Sequence, residues 1–222
     1  MPDVIVVGDG PGGLSAALFL AKNEMSVTVF GQDGTLMHKA LLYNYLGIPK
    51  ISGREFQQIS REQVKGFGGE IQDVEVSSIE KGDGGFEVKT ADGQSHQSQY
   101  LILATGPANP LAEALGVAKE ADGLAADRNG RTAVAGLYVI GWSTRLKKIQ
   151  AIISAGDGAC AALDILSAKA GEDIHDFDLI EDEYKSWRPP HPRRSEKGAE
   201  RVTLRATLSL ARGVPKVRLD SR

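Results

Sequence analysis

The chain has a single cysteine, Cys160, which excludes an intrachain disulfide, a C-x-x-C redox pair and a cysteine-rich metal site. It has no run of about 18 apolar residues. Its N-terminus lacks a basic segment followed by an apolar core, because acidic Asp3 leads straight into a short strand-like run. The protein is therefore read as cytoplasmic, with no membrane partner. None of His38, His96, His175 and His191 stands at H-x-x-x-H spacing or beside an acid or thiol cluster, so no metal site is expected. No internal repeat is visible.

What is present has ordinary globular proportions. Hydrophobic residues make up 41% and charged residues 25% of 222, which excludes collagen-like and disordered classes and allows one substantial core or two small domains. The charge is uneven. From Trp187 to Arg222 ten Lys/Arg face three Asp/Glu, a balance of +7 within a whole-chain net charge of −3, which leaves −10 for residues 1–186. Cys160 lies in "GDGACAAL", whose small apolar residues predict a buried structural thiol.

The 26 glycines are not scattered at random. In "DVIVVGDGPGGLSAALFLAK", Gly8, Gly10 and Gly13 stand at G-x-G-x-x-G spacing. A valine-rich run precedes them and the apolar side of a helix, ending near Asn23, follows. "SVTVF" (Ser26 to Phe30) supplies a second strand, so the segment is a β-α-β unit with the glycine turn at the carboxyl end of its first strand. Gly8 allows the tight turn, Gly10 admits a pyrophosphate, Gly13 lets helix and strand pack closely, and Pro11 costs no hydrogen bond in a first helical turn. Free N–H groups there favour an anion. The identity of the nucleotide stays open at this point. In an NAD site an acid at the end of the second strand takes the ribose hydroxyls, whereas here Phe30, Gly31 and Gln32 hold that place and Asp33 comes slightly late.

Farther on, Gly31 to Gly53 is irregular, and Arg54 to Gly66 reads as an amphipathic helix with Phe56, Ile59 and Val64 to one side. "GFGG" (66–69) follows that helix rather than a strand, so it is not a second dinucleotide turn. Segments 70–80, 86–90 and 98–105, separated by "KGDGG" and "ADGQ", read as an antiparallel meander whose last strand turns apolar at Tyr100 to Ala104. Leu137 to Ile140 is another buried strand, and a helix runs from about Gln150 to Ser167.

Three segments in order, the glycine turn, "YLILATG" (Tyr100 to Gly106) and "GLYVIGWSTRLKKIQAIISAGDGACAAL" (Gly136 to Leu163), resemble the FAD domain of thioredoxin reductase-like flavoproteins, the class II pyridine nucleotide-disulfide oxidoreductases. "NYLGIPKISGREF" is similar to that family's Asn-aromatic-x-Gly-x-Pro segment. The resemblance covers roughly Val4 to Ala170. It implies an α/β fold: a three-layer Rossmann-like FAD/NAD(P)-binding domain with a parallel sheet plus an antiparallel β-meander over residues 1–180. An acidic-then-basic extension would follow at 181–222.

The implied cofactor is FAD. The resemblance puts its pyrophosphate at Gly8, Gly10, Pro11, Gly12 and Gly13, and its adenosine ribose at Gly31 and Gln32. Val76 would make the main-chain contact to adenine. Asn44, Ala104, Thr105, Gly106, Gly141 and Trp142 would lie along the flavin side, and Gln150 with Ala151, at a helix start, beneath the flavin pyrimidine. N–H groups of that helix would there favour a reduced, anionic flavin.

Two departures qualify the resemblance. Only "PANPLAEALGVAKEADGLAADRNGRTAVA" separates Gly106 from Gly136, too short for an NADPH domain and without a G-x-G-x-x-G, and the redox C-x-x-C is missing. A complete thioredoxin reductase is not expected, and electrons should pass between a separate donor and an acceptor, protein or small molecule. Trp142 stands where the family has its ribityl-binding aspartate. It is either an indole packed near the flavin or a filler that costs a charge-assisted hydrogen bond of about 1.5–3 kcal/mol.

The expected activity is a flavin-dependent oxidoreductase; the alternative is a non-catalytic nucleotide-binding or scaffold protein with a degraded flavin site. A homodimer is compatible with either. His38 is read as a proton relay or a packing histidine, Tyr43 and Tyr45 as cofactor-stacking or self-burying aromatics. Arg145, Lys147 and Lys148 form a basic loop, solvated or facing a pyrophosphate or an acidic partner. The basic tail, with one aromatic and no recognition fold, argues against nucleic acid. Its "VTLRATLSL" could add a strand to a sheet edge, but an extension without fixed structure is the first reading.

Overall fold

In the computed structural model the described residues are 1–178. Strand β1 (Val4–Val7) is followed by helix α1 (Pro11–Lys22), β2 (Val27–Gly31), a 3-10 turn (Leu36–Lys39), β3 (Leu41–Leu42), β4 (Ile51–Ser52) and helix α2 (Gly53–Gly66). Then come β5 (Glu70–Asp73), β6 (Val76–Gly82), β7 (Gly85–Thr90), β8 (Ser95–Ser98) and β9 (Tyr100–Leu103). Short helix α3 (Pro110–Ala114), β10 (Lys119–Glu120) and β11 (Gly123–Leu124) lead to β12 (Leu137–Val139), a second 3-10 turn (Gly141–Thr144) and helix α4 (Ala151–Ala170).

The main sheet has the order β12-β9-β1-β2-β5, and every pairing in it is parallel. Strand β1 is central, which is why its VIVV run is buried on both faces. The period of two divides those residues between two cores. Val4 and Val6 join Leu14, Ala17, Leu20 and Ile165 under α1 and α4. Ile5 and Val7 join Val76, Ile79, Phe86 and Val88 of the antiparallel sheet β6-β7-β8. The result is three layers, helices, parallel sheet and meander, as the sequence implied. Each fully buried Leu or Ile in them contributes about 1.5–3 kcal/mol.

Small residues set the spacing of the helical layer. A Cβ on Gly158 of α4 would lie 2.1 Å from the Gly12 carbonyl oxygen of α1, and one on Gly12 would lie 3.1 Å from the Ser154 carbonyl oxygen. Long and apolar, α4 is the one described helix that could cross a membrane by length and composition. Here it packs on α1, with its buried Asp164 accepting from Tyr138 Oη at 2.7 Å and Arg131 Nε at 2.5 Å.

Four expectations need correction. Residues 70–73 do not belong to the meander; they form β5, the parallel edge strand beside β2. The stretch 98–105 is two strands: Ser95–Ser98 closes the meander, and Tyr100–Leu103 enters the main sheet beside β1. The chain changes sheet at Gln99, where alternation gives way to the apolar run YLIL. In α2 the buried side is Gln57 and Val64, while Ile59 is exposed. Cys160 is exposed too, because the helical period turns Gly158, Ala161 and Ala162 inward and leaves residue 160 outside. The extension expected at 181–222, with His191 and the "VTLRATLSL" segment, lies outside the described residues.

Candidate functional site

The glycine turn between β1 and α1 is built as its spacing requires. Gly8 has φ of +104°, and a Cβ there would meet the Ala104 carbonyl oxygen at 2.4 Å. A Cβ on Gly13 would lie 1.9 Å from the Gly8 carbonyl oxygen. Helix α1 therefore rises directly out of the turn. Its N-cap is Gly10, no side chain caps it, and Pro11 occupies the first turn, so the N–H groups of Gly12 and Gly13 begin the helix with its positive end. This is an anion cradle in backbone form.

The Gly8–Ala104 approach places the end of β9 against the turn. Thr105 Oγ1 donates to Asn109 Oδ1 at 3.2 Å, and Gly106, at φ +71°, accepts at its carbonyl from Ser143 Oγ at 2.8 Å. That bond joins the A-T-G segment to the 3-10 turn after β12, which carries Gly141 and Trp142. Gly141, at φ +69°, lies close to Ser154 of α4. Trp142 is half-buried, and its indole N–H donates to the Leu146 carbonyl at 3.4 Å.

A second uncapped helix start faces this region. Gln150 is the N-cap of α4 and makes no capping bond with its side chain. Its Oε1 instead accepts from Asn44 Nδ2 at 3.1 Å, joining two residues 106 positions apart. Ala151 opens the helix, whose first-turn N–H groups are left for another acceptor. Gly8 to Gly13, Ala104 to Gly106, Gly141, Trp142, Gln150, Ala151 and Asn44 are thus linked by direct contacts.

Val76 does not share that linkage. It begins β6 and is buried in the core between the meander and the main sheet. Gly31 and the exposed Gln32 lie at the end of β2, on the other side of the glycine turn. Tyr45 packs on Phe56, and Tyr43 is exposed beneath Lys50 Nζ. In the basic loop, Arg145 forms a two-bond pair with Asp157, and Lys147 pairs with Asp122.

Asp9 is a buried charged residue that motif reading passes over. It stands between the first two glycines and is 5% exposed. Its Oδ2 accepts from the Asp33 N–H at 3.1 Å and from Arg61 Nη1, while Gln57 Nε2 donates to its carbonyl at 2.6 Å. Arg61 reaches across with its other amino group to Asp73 Oδ1. Burial pushes the Asp9 carboxyl above the ordinary carboxylate value against the pull of Arg61. Burial also opposes the Arg61 charge, but its bond to Asp73 and the field of Asp9 hold its pKa above the usual value. The available signal was a charged residue inside a glycine turn, paired with a glycine where the second strand would offer an acid.

Beside this pair lies a cavity of about 310 Å³, lined among others by Asp33, His38, Arg54, Gln58, Arg61 and Lys65. His38 Nε2 lies 2.7 Å from the Asp33 carbonyl oxygen and 2.9 Å from its Oδ1, and its buried Nδ1 has no hydrogen-bond partner among the described residues. The 3-10 turn holds His38 on the Asp9 side of the glycine turn.

Residues 2–111 match the family model of the pyridine nucleotide-disulphide oxidoreductases. The domain is thioredoxin reductase-like. The bifunctional thioredoxin reductase/thioredoxin of Mycobacterium leprae is 37% identical over 108 residues, 47% of this chain and 24% of that protein. The ferredoxin–NADP reductase of Streptococcus equi subsp. zooepidemicus is 31% identical over 137 residues, 57% of this chain and 41% of that protein. The chain thus spans well under half the length of these relatives. Among solved structures, the atypical thioredoxin reductase TRi from Desulfovibrio vulgaris Hildenborough superposes with a TM-score of 0.71 at 19% identity, over 78% of this chain and 99% of that one. At that identity the likeness is one of fold.

Proposed function

We propose that this domain binds FAD and serves as an oxidoreductase that passes electrons between a separate donor and a separate acceptor. The carrying observation is the pair of uncapped helix starts, α1 at Gly10 and α4 at Gln150, tied through the Gly8–Ala104 approach, the Ser143–Gly106 bond and the Asn44–Gln150 bond. One helix start suits a pyrophosphate. The other suits the pyrimidine end of an isoalloxazine, with about half a positive charge at the helix terminus.

Bound FAD would supply the two-electron chemistry that amino-acid side chains lack. The residues of this chain do the rest. Gly12 and Gly13 N–H groups take the phosphate charge, and Ala104 closes against the glycine turn at Gly8. Asn44 fixes the Gln150 side chain, so the first-turn N–H groups of α4 remain available to negative charge. The uncapped helix starts suit the group, but Trp142 offers no carboxylate for a ribityl hydroxyl, and its indole N–H is engaged with Leu146.

That same observation favours the second reading, a nucleotide-binding or scaffold protein without flavin chemistry. Electron delivery separates the first reading from a self-sufficient reductase. Between β9 and β12, residues 107–136 hold only α3 and the two-residue strands β10 and β11, with no second glycine turn. FAD-loaded protein mixed anaerobically with NADPH should keep its absorbance near 450 nm (roughly the flavin maximum), while photoreduction bleaches it. Bleaching by NADPH within seconds would contradict the requirement for a separate donor.

A further inference from the structure

Asp9 poses a charge problem. A carboxylate inside a turn that offers its N–H groups to a pyrophosphate opposes the ligand the turn suits. The fold resolves this by turning the side chain out of the cradle and toward the end of β2. There a Cβ on Gly31 would lie 2.3 Å from Asp9 Cγ and 2.7 Å from its Oδ1. Residue 31 must be glycine because Asp9 fills the space a side chain would take.

That space has a known use in dinucleotide folds. An acid at the end of the second strand, about 20 residues past the glycine turn, receives the ribose hydroxyls. Phe30, Gly31 and Gln32 hold no acid, yet a carboxylate is present at that place, supplied by the glycine turn itself. We propose that Asp9 is the specificity-determining acceptor for the 2′,3′-diol of an adenosine ribose, in place of a residue on β2. This rests on the reading that the domain binds an adenine nucleotide.

Asp9 is held for that task. The bonds to its carboxylate from the Asp33 N–H and from Arg61 both end on Oδ2, and among the described residues no other residue donates to Oδ1. Gln57, itself buried, pins the Asp9 carbonyl. Arg61 is fixed in turn by Asp73 at the end of β5. One carboxylate oxygen is anchored and the other is left to accept.

The charges choose between a diol and a 2′-phosphate. Arg54, Arg61, Lys65 and His38 line the adjoining cavity and would draw a phosphate. Arg61, however, is shared by Asp9 and Asp73, and Asp33 stands beside it, so three carboxylates already face its one positive charge. A second dianion there is disfavoured, and a hydroxyl donor is favoured.

Calorimetric titration of the full chain with ADP, 2′-deoxy-ADP and adenosine 2′,5′-bisphosphate tests this. A hydrogen bond to a charged acceptor predicts that ADP binds the unsubstituted protein at least about tenfold more tightly than 2′-deoxy-ADP, and that the bisphosphate binds more weakly still. Asp9→Asn should cut the ADP preference to about threefold or less. The pair Asp9→Ser with Gly31→Glu moves the acid to the second strand and should restore it. ADP and 2′-deoxy-ADP binding equally well to the unsubstituted protein, or the bisphosphate binding best, overturns the assignment of Asp9 and leaves nucleotide binding standing. Failure of all three to bind overturns both.

Discussion

Asp3 shows how one side chain ties distant parts of the chain together. It accepts from Ser26 Oγ at 2.6 Å and from the Ser26 N–H at 3.0 Å, which aligns the starts of β1 and β2, and from Lys169 Nζ at 2.8 Å near the end of α4. The Lys169 bond and then the Ser26 hydroxyl lower its pKa to about 2. A folded-state pKa below the unfolded one means stability that is fully present above the ordinary aspartate value of 3.8 and lost as the pH falls through about 2. Urea unfolding between pH 5 and pH 2 (roughly the window of that loss) should show a midpoint that falls with acid in the unsubstituted protein, and less steeply in Asp3→Asn. Equal slopes would remove Asp3 from the account. The same scale shows what the sequence could not disclose. The G-x-G-x-x-G spacing is a local pattern and was legible at once. The link between Asp9 and Gly31 spans 22 positions and exists only because β2 lies beside β1. The exposure of Cys160 turned on helical phase, which the small residues around it on α4 do not define.

Elements carry the site by their spacing. Helices α1 and α4 each present an uncapped start, and they stand close because Gly12 and Gly158 lack side chains. Gly158→Ala, with a Cβ 2.1 Å from the Gly12 carbonyl oxygen, should destabilise the fold by about 1–3 kcal/mol and weaken FAD binding in parallel, because both helix starts shift. Urea unfolding and a flavin titration on the same variant read the two effects. A destabilised variant with unchanged FAD affinity would show that helix spacing does not set the site. Helices and main strands were legible because their apolar periods are long and strong. The strand at 70–73 and the break at Gln99 were not, because four-residue strands look alike in sequence and only the pairing partner tells a parallel edge from a meander. Family resemblance put Asn44 and Gln150 both toward the flavin, but the bond between them, spanning 106 positions, was not legible in the sequence.

At the scale of the whole molecule, the described residues form a Rossmann-like three-layer domain in which two helix starts, a β9 terminus and the turn bearing Trp142 meet. The central claim is that this arrangement holds FAD even with tryptophan in place of the ribityl-binding aspartate. Titrating the purified full chain into FAD while following flavin fluorescence and the visible spectrum tests it most directly. The account predicts a saturable change at one FAD per chain, with a resolved shift of the flavin absorption bands. An unchanged flavin signal at protein concentrations up to about 100 μM, a level at which even an affinity of about −6 kcal/mol would register, would contradict it.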